Sequence, residues 1–585
     1  MSSLGNRFVR TLVILLVTLF VVSCGTTVKE TVVVKETVLV EASPVEKVVT
    51  ATPAAEAIQV NSVGKQLPPD AKSAEEQVVT VFGTTSGYAE WFKSIYKSCS
   101  ANEYVQIPLT RIDGNGNAYG DAAESWEVSE DGLTWTFHIR QGLIWSDGSA
   151  LTAKDFEWSF QRGADPNTGY DFGWLYSSAA GIKNWDAVTA GTVAIEDLGV
   201  HATDDYTLVI ETTSPRPFLP ALMTQSYVSC RACYEQYGDN WSTKLDTMLF
   251  SGPFIISEWK PDDRIVLKAN PQYNGPFKPY IEQWTFLESP ASDAVGATYA
   301  AYMAGEIDEA SLSADEAALM SADTQLASEI HPYAEYNSQY FFFDTTQEPF
   351  NNIKLRQALA QAIDRATIAD AIYQGTYLAA TTLLPIGFHA YNANNAAYTY
   401  NLDAAKQALA DAGYPNGEGL PVLQLWIRDG THQKAAEYLQ DQWKKNLGIE
   451  IEIVNKTRNE YMDAMGKGEI AFGLVDYGYD YIDASNFMDL FLCSGRQGYG
   501  CCDATYDELV NKADSYTGDA SERITIYNEA EKYLLEQVYC IPGFHNANQI
   551  AWKSDLRGID LPSVTGATWR GPRLGLTAFT IYRAK

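Results

Sequence analysis

Cysteine, histidine and carboxylate spacings are where a chain of this kind would first show chemistry. Cys230-x-x-Cys233 has the spacing of half a zinc site or of a redox dithiol. No second CxxC or histidine pair stands near it, so a structural disulfide is the better reading. Asp113, Asn115, Asn117, Asp121 and Glu124 fall at positions 1, 3, 5, 9 and 12 of a calcium loop. The place that needs glycine for the sharp turn holds Ala118, which leaves a polar Asn/Gly hairpin as the favoured alternative. In Gly83-Thr84-Thr85-Ser86-Gly87 the serine is displaced by one position from a nucleophile elbow, and the stretch reads as a turn. GxxxxGK[ST], HExxH and GxSxG are absent, and the six histidines are scattered singly. With 74 Asp and Glu residues, paired carboxylates are inevitable, so spacing alone selects no glycosidase pair. Nothing here speaks for catalysis, a metal or a cofactor.

The elements around these residues must be numerous. A chain of 585 residues, 46% apolar and 12% aromatic, is too long for one core and too apolar to be mainly disordered. Forty-two Lys and Arg against 74 acids give a formal net charge of −32, which repels phosphate backbones and argues against nucleic acid as a partner. Arg7 and Arg10 precede an apolar run from Leu12 to Val22, about half a bilayer core in helical length, so 1–23 reads as a signal peptide. Val21-Val22-Ser23-Cys24 resembles the lipobox of bacterial lipoproteins, in which the cysteine is lipidated and becomes the new N-terminus. Cleavage there leaves 585 − 23 = 562 residues and a balance of 40 − 74 = −34. Residues 24–74, with Val28-Lys29-Glu30-Thr31-Val32 repeated as Val34-Lys35-Glu36-Thr37-Val38, read as a flexible tether. The implied location is extracytoplasmic, lipid-anchored to the cell membrane. Disulfides persist there, so Cys493 paired with Cys501 or Cys502 is a reasonable loop staple.

The body alternates strands and helices. Val78–Phe82 reads as a strand, and Trp135, Phe137 and Ile139 alternate with polar neighbours after the Asp131-Gly132 turn. Thr152 and Asp155 open a helix in capping-box fashion. Leu355, Ala358, Leu359, Ala362 and Ile363 form a helical stripe, and so do Leu402, Ala405, Leu409 and Ala412. A third, Ala436, Leu439, Trp443 and Leu447, ends at Gly448 and is followed by the alternating strand Ile449–Ile453. Helix–Gly–strand units signal α/β lobes, and two large lobes divide some 500 residues naturally.

The run Ala123-Glu124-Ser125-Trp126-Glu127-Val128-Ser129-Glu130-Asp131-Gly132-Leu133-Thr134-Trp135 is specific. With Trp145-Ser146-Asp147-Gly148, Ser251-Gly252-Pro253-Phe254, Ala304-Gly305-Glu306-Ile307-Asp308, Pro349-Phe350-Asn351-Asn352 and Ala362-Ile363-Asp364-Arg365, in order, it resembles the oligopeptide/dipeptide-type (family 5) extracellular solute-binding proteins of ABC importers. The resemblance spans about 75–585. It implies an α/β, two-lobed periplasmic-binding-protein-like fold, type II in its large three-domain form, with a ligand cleft between the lobes. Transferred to this numbering, lobe I is 75–101, 226–336 and 546–585, an extra domain is 102–225, and lobe II is 337–545.

The resemblance also assigns site residues. In Tyr477-Gly478-Tyr479-Asp480-Tyr481, the aspartate matching Asp480 pairs with a peptide's α-ammonium in relatives; the alternative is that Asp480 caps the turn towards Ser485-Asn486. Tyr477 takes the place of a cleft tryptophan. His432 matches a histidine that helps receive the C-termini of longer peptides, unless it is a solvated helix-start residue. An arginine of some relatives is replaced by Leu474, and Arg458 stands where a tryptophan is common, so either Arg458 is a candidate substitute cation or the ligand has no carboxylate. The implied function is a membrane-anchored monomer that captures short peptides and delivers them to an ABC permease, with an oligosaccharide as the alternative ligand. An extracellular hydrolase is the competing class, and an adhesin or chemosensory adaptor a third.

Overall fold

The computed structural model describes residues 59–113, 116–291, 296–428, 432–495, 499–559, 567–568 and 577–585. The expected signal peptide over 1–23, Cys24 and the repeat at 28–38 lie outside the described residues. In chain order the first half supplies β1 (Val78–Gly83), β2 (Ala123–Val128), β3 (Thr134–Ile139), α1 (Ala153–Ala164), β4 (Val200–Ala202), β5 (Thr207–Glu211), β6 (Phe254–Lys260), β7 (Arg264–Ala269), β8 (Gln283–Glu288) and β9 (Glu309–Leu312). The second half supplies β10 (Ile330–Phe343), α2 (Ile353–Gln361), α3 (Leu402–Asp411), β11 (Leu423–Arg428), α4 (Gln433–Leu447), β12 (Ile451–Lys456), α5 (Arg458–Gly466), β13 (Phe472–Gly478), α6 (Ala504–Asp514), α7 (Ala520–Glu536) and β14 (Cys540–Trp552).

Three sheets carry these elements. One has the order β1–β8–β7–β6, with β1 and β8 parallel. A second, β2–β3–β5–β4, is antiparallel throughout and lies inside the stretch expected as the extra domain. Val79 and Trp284 of the first share one continuous core with Phe137 and Phe156 of the second region, so the two are packed together. The backbone N–H of Thr152 donates to Asp155 at 2.7 Å, and α1 starts at the expected place.

The third sheet runs β9–β14–β10–β13–β11–β12. Tyr340, Phe341, Phe342 and Phe343 of β10 are all buried because helices cover both faces. Phe341 and Phe343 pack with Leu355, Leu409 and Trp443 of α2, α3 and α4. Tyr340 and Phe342, one residue out of phase, pack with Tyr461, Tyr506 and Tyr527 of α5, α6 and α7. Asn352 and Asn401 accept backbone N–H bonds that start α2 and α3. α4 ends at Gly448, whose φ of 72° suits glycine, and a Cβ there would stand 2.1 Å from the Asn416 carbonyl oxygen. The strand expected from Ile449 begins at Ile451, because Gly448 and Ile449 still bond back to the end of α4.

β10 and β14 are the longest strands, with 14 and 13 residues. They pair antiparallel from Ile330–Ala551 to Phe342–Cys540, with register shifts between Ala334 and Ser338 and between Gln339 and Tyr340. β9 joins one end of the pair through β14, and β13 joins the other through β10. The lobe boundaries expected at 336/337 and 545/546 fall inside these two strands.

The tether expected over 24–74 is too long. Residues 59–74 are stitched to the body: Asn61 Nδ2 donates to the Pro279 carbonyl at 2.8 Å, and Lys65 Nζ to those of Lys278 and Phe579 at 2.6 and 2.9 Å. Ala71 pairs with Ala584, and the Lys585 N–H donates to Asp70 O at 2.8 Å. These contacts come from residues more than 200 positions away, which no local pattern announces.

Cys230 and Cys233 form a disulfide, and Cys493 pairs with Cys502 rather than Cys501. Cys99, Cys501 and Cys540 are free and buried. Asp113 and Asn117 close a hairpin between short strands, and among the described residues no group of three or more acids, histidines or cysteines is placed to hold a metal. No helix among the described residues is long and apolar enough to cross a membrane.

Candidate ligand cleft

Strand alternation builds the site. On β9, Ala310 and Leu312 point into a core while Glu309 and Ser311 face the other way. On β10, Ala334 and Tyr336 go to the core while Tyr333 and Glu335 join Glu309 and Ser311, with Ile550 of β14 beside them. Together with the segment Trp91–Tyr104, Phe172, Gln225, Phe286 and Asp480, they line a cavity of about 510 Å³. That volume suits a small ligand.

Asp480 is thus the one expected site residue that the structure brings to the cavity. It follows the end of β13, and its Oδ2 accepts the Tyr477 hydroxyl at 2.7 Å. Asn486 Nδ2 donates to that same Tyr477 oxygen at 3.1 Å, and the Asp480 N–H donates to Asn486 Oδ1 at 2.8 Å. The turn towards Ser485 is capped by Asp483, which accepts the Ser485 N–H at 3.1 Å, and Asp480 itself stands in the lining of the cavity. Tyr477 is not part of the lining; it packs edge-on against Phe487 and orients Asp480.

His432 and Arg458 do not reach this cavity. His432 is 4% exposed, neither solvated nor in the lining. Gln339 Nε2 donates to its Nδ1 at 2.7 Å, which directs the Nε2 proton to Asp476. Tyr373 completes the group by donating to Gln339 Oε1 at 3.2 Å. Arg458 is exposed in the first turn of α5, and Leu474 is buried in the core beside Phe472. Arg458 is thus not among the residues that line this cavity.

Glu103, Glu309 and Glu335 are the lining residues that sequence reasoning missed. Glu335 accepts the Tyr333 hydroxyl at 3.2 Å and Asn546 Nδ2 at 3.1 Å. Burial, reinforced by Glu335 and Glu309, pushes the Tyr333 phenol well above its usual range, so it stays a neutral donor. Burial likewise pushes the Cys99 thiol up to about 12, which makes this lining cysteine a poor nucleophile.

Two contacts cross from the extra-domain stretch to the β13 side of the cleft. Phe218 stacks on Tyr481 with ring centroids 5.8 Å apart, and Gln225 Nε2 reaches the Asp480 carbonyl at 3.4 Å. Behind them Arg523 holds Asp483 through two bonds of 2.6 and 2.7 Å and lies 5.0 Å from the Phe218 ring. Burial alone would raise the Asp483 carboxyl, but the guanidinium outweighs it and holds it at about 2.

Residues 117–499 match the family model for bacterial extracellular solute-binding proteins, family 5 Middle. A probable deoxycholate-binding periplasmic protein of Escherichia coli is 31% identical over 445 residues, 75% of this chain and 82% of that one. The oligopeptide-binding protein OppA of Bacillus subtilis is 27% identical over 467 residues, 78% and 84% of the two chains. An oligopeptide-binding protein of Borrelia burgdorferi superposes with a TM-score of 0.68 at 25% identity, covering 86% of this chain and 99% of that one. The unliganded open form of the murein tripeptide-binding protein MppA gives 0.72 at 24% identity, 88% and 99% of the chains, which shows the shared fold. These relatives are binding proteins, not enzymes, and so is this chain. The chain belongs to the bacterial extracellular solute-binding proteins of family 5.

Proposed function

We propose that this protein captures a short peptide in the cavity around Asp480 and hands it to the membrane subunits of an ABC importer. The observation that carries the reading is Asp480 itself, a carboxylate oriented by Tyr477 and Asn486 in the wall of a 510 Å³ cavity. A peptide's α-ammonium placed there gains a charge-assisted hydrogen bond in a site that closure shields from water. Several relatives are named for peptides, among them oligopeptide- and dipeptide-binding proteins. In this reading Cys24 carries the lipid that moors the chain, the protein acts as a monomer, and ATP hydrolysis belongs to other subunits.

Closure is accommodated by β10 and β14. Two strands with register shifts between Ala334 and Ser338 form the natural bending point, since only a few ladder bonds change there. Mass spectrometry of what co-purifies, followed by calorimetry with synthetic di- to pentapeptides and with cello- and xylo-oligomers, tests the reading. Stoichiometric retention of an intact peptide supports it. Binding of sugars but not peptides, or turnover of the peptide, overturns it.

A further inference from the structure

Three consecutive residues after β13 are each met by a residue of the stretch expected as the extra domain. Gln225 Nε2 reaches the Asp480 carbonyl at 3.4 Å. The Tyr481 ring lies parallel to that of Phe218, within 4° and with centroids 5.8 Å apart. Gly116 comes so near Ile482 that a Cβ on it would stand 3.1 Å from the isoleucine side chain. Tyr481 is accordingly buried in the core that holds Phe137 and Phe156, although β13, which leads to it, belongs to the third sheet. Gln225 and Asp480 line the cavity, whereas Phe218, Tyr481 and Ile482 lie outside its lining.

Phe218 sits at the centre of this grip. Its ring is 5% exposed, stacked on Tyr481 and 5.0 Å from the Arg523 guanidinium. Arg523 is itself fixed by two bonds to Asp483, two residues beyond Tyr481, so the ring meets an aromatic face and a cation that are both held in place. Two positions before it, Arg216 adds charge to the same contact. Burial raises the Asp489 and Asp514 carboxyls, and the Arg216 guanidinium opposes that rise in both. Stacking and cation–π attraction need close contact, so they count fully when the two surfaces touch and vanish when they part.

On the reading that the cleft closes around its ligand, we infer that Phe218 is a positioning residue: with Arg216 it clasps the Asp480–Tyr481 turn to the stretch 216–225 and holds part of the molecules closed before a ligand arrives. The clasp acts on every ligand alike, because it changes the share of closed molecules and not the contacts inside the cavity.

Small-angle scattering of the unliganded protein, with urea unfolding alongside, tests this without any ligand. Phe218→Ala is expected to give a folded protein with a larger radius of gyration than the parent, and Arg216→Gln a smaller change in the same direction. Phe218→Tyr, which keeps the flat ring, should restore the parental value. A side chain that only filled the core would shift the urea midpoint and leave the folded dimensions alone. If Phe218→Ala does not fold, Phe218→Leu, apolar but without the flat face, takes its place. Calorimetry with trialanine should give a dissociation constant at least about fivefold higher in Phe218→Ala than in the parent. Parental dimensions in Phe218→Ala overturn the clasp and leave peptide capture standing. Larger dimensions with an unchanged trialanine affinity overturn its coupling to binding. Larger dimensions with no trialanine heat in the parent keep the clasp and count against peptide capture.

Discussion

The hydroxyl of Tyr477 and the carboxylate of Asp480 are joined by a 2.7 Å hydrogen bond across one turn of chain. The bond fixes which way the carboxylate faces, so loss of the hydroxyl should be felt by a ligand that never touches Tyr477. Tyr477→Phe is expected to weaken a bound peptide by about 1 kcal/mol, roughly fivefold, and Asp480→Ala by at least about 2 kcal/mol. Isothermal titration of both variants against one peptide checks this. An unchanged dissociation constant for Asp480→Ala removes the ammonium-anchor role.

Arg523 and Asp483 are buried together, and Asp483 is kept ionised at about 2 by the guanidinium. Removing one partner strands the other. Arg523→Ala should cost about 3–5 kcal/mol in urea unfolding, and adding Asp483→Leu should recover part of that loss. If the double variant is less stable by the full sum of the two single changes, the pair is not the unit described.

Two buried groups give opposite pH slopes. Glu531 accepts the N–H groups of Leu383 and Leu384 at 3.0 and 2.8 Å, and burial pushes its carboxyl from 4.5 up to about 7. The folded state therefore keeps a proton that the unfolded chain releases, so this stability is full below about 4.5 and is lost as pH rises through about 7. For His545, burial pushes the ring from 6.5 down to about 4, so its term is full above about 6.5 and is lost as pH falls through 4. Denaturant midpoints measured across this range should show Glu531→Gln losing the alkaline decline and retaining the acid one. Parallel pH curves for variant and parent would contradict the assignment.

The thiols should separate cleanly by context. Cys99 and Cys501 are pushed up to about 12 by burial, and Cys540 is raised by the same cause, so none of the three should react with a thiol reagent until the chain unfolds. Replacing both Cys493 and Cys502 with alanine should cost about 2–3 kcal/mol, the loop-closure value for so short a link. Mass-shift labelling and thermal melts read the two effects independently.

Much of the secondary structure was visible in the chain before folding. Stripes such as Leu402, Ala405 and Leu409, and stops such as Gly448, act locally, and the structure places helices where they fall. Asp480 was legible only through its resemblance to known binding proteins, since spacing cannot single out one acid among 74. Glu309 left one faint sign: in Glu309-Ala310-Ser311-Leu312 polar and apolar residues alternate, which marks a two-faced strand. What that polar face meets is decided by β10 and by the loop at Trp91–Tyr104, far away in sequence. The burial of His432 was hidden for a related reason: the Asp476 and Gln339 that enclose it arrive on β13 and β10.

Residues 59–74 are sewn to Pro279, Phe579 and the last residues of the chain. A recombinant version trimmed at residue 75 would lose Asn61, Lys65 and Asp70 and leave the carboxyl end unzipped, so truncations should begin no later than residue 59.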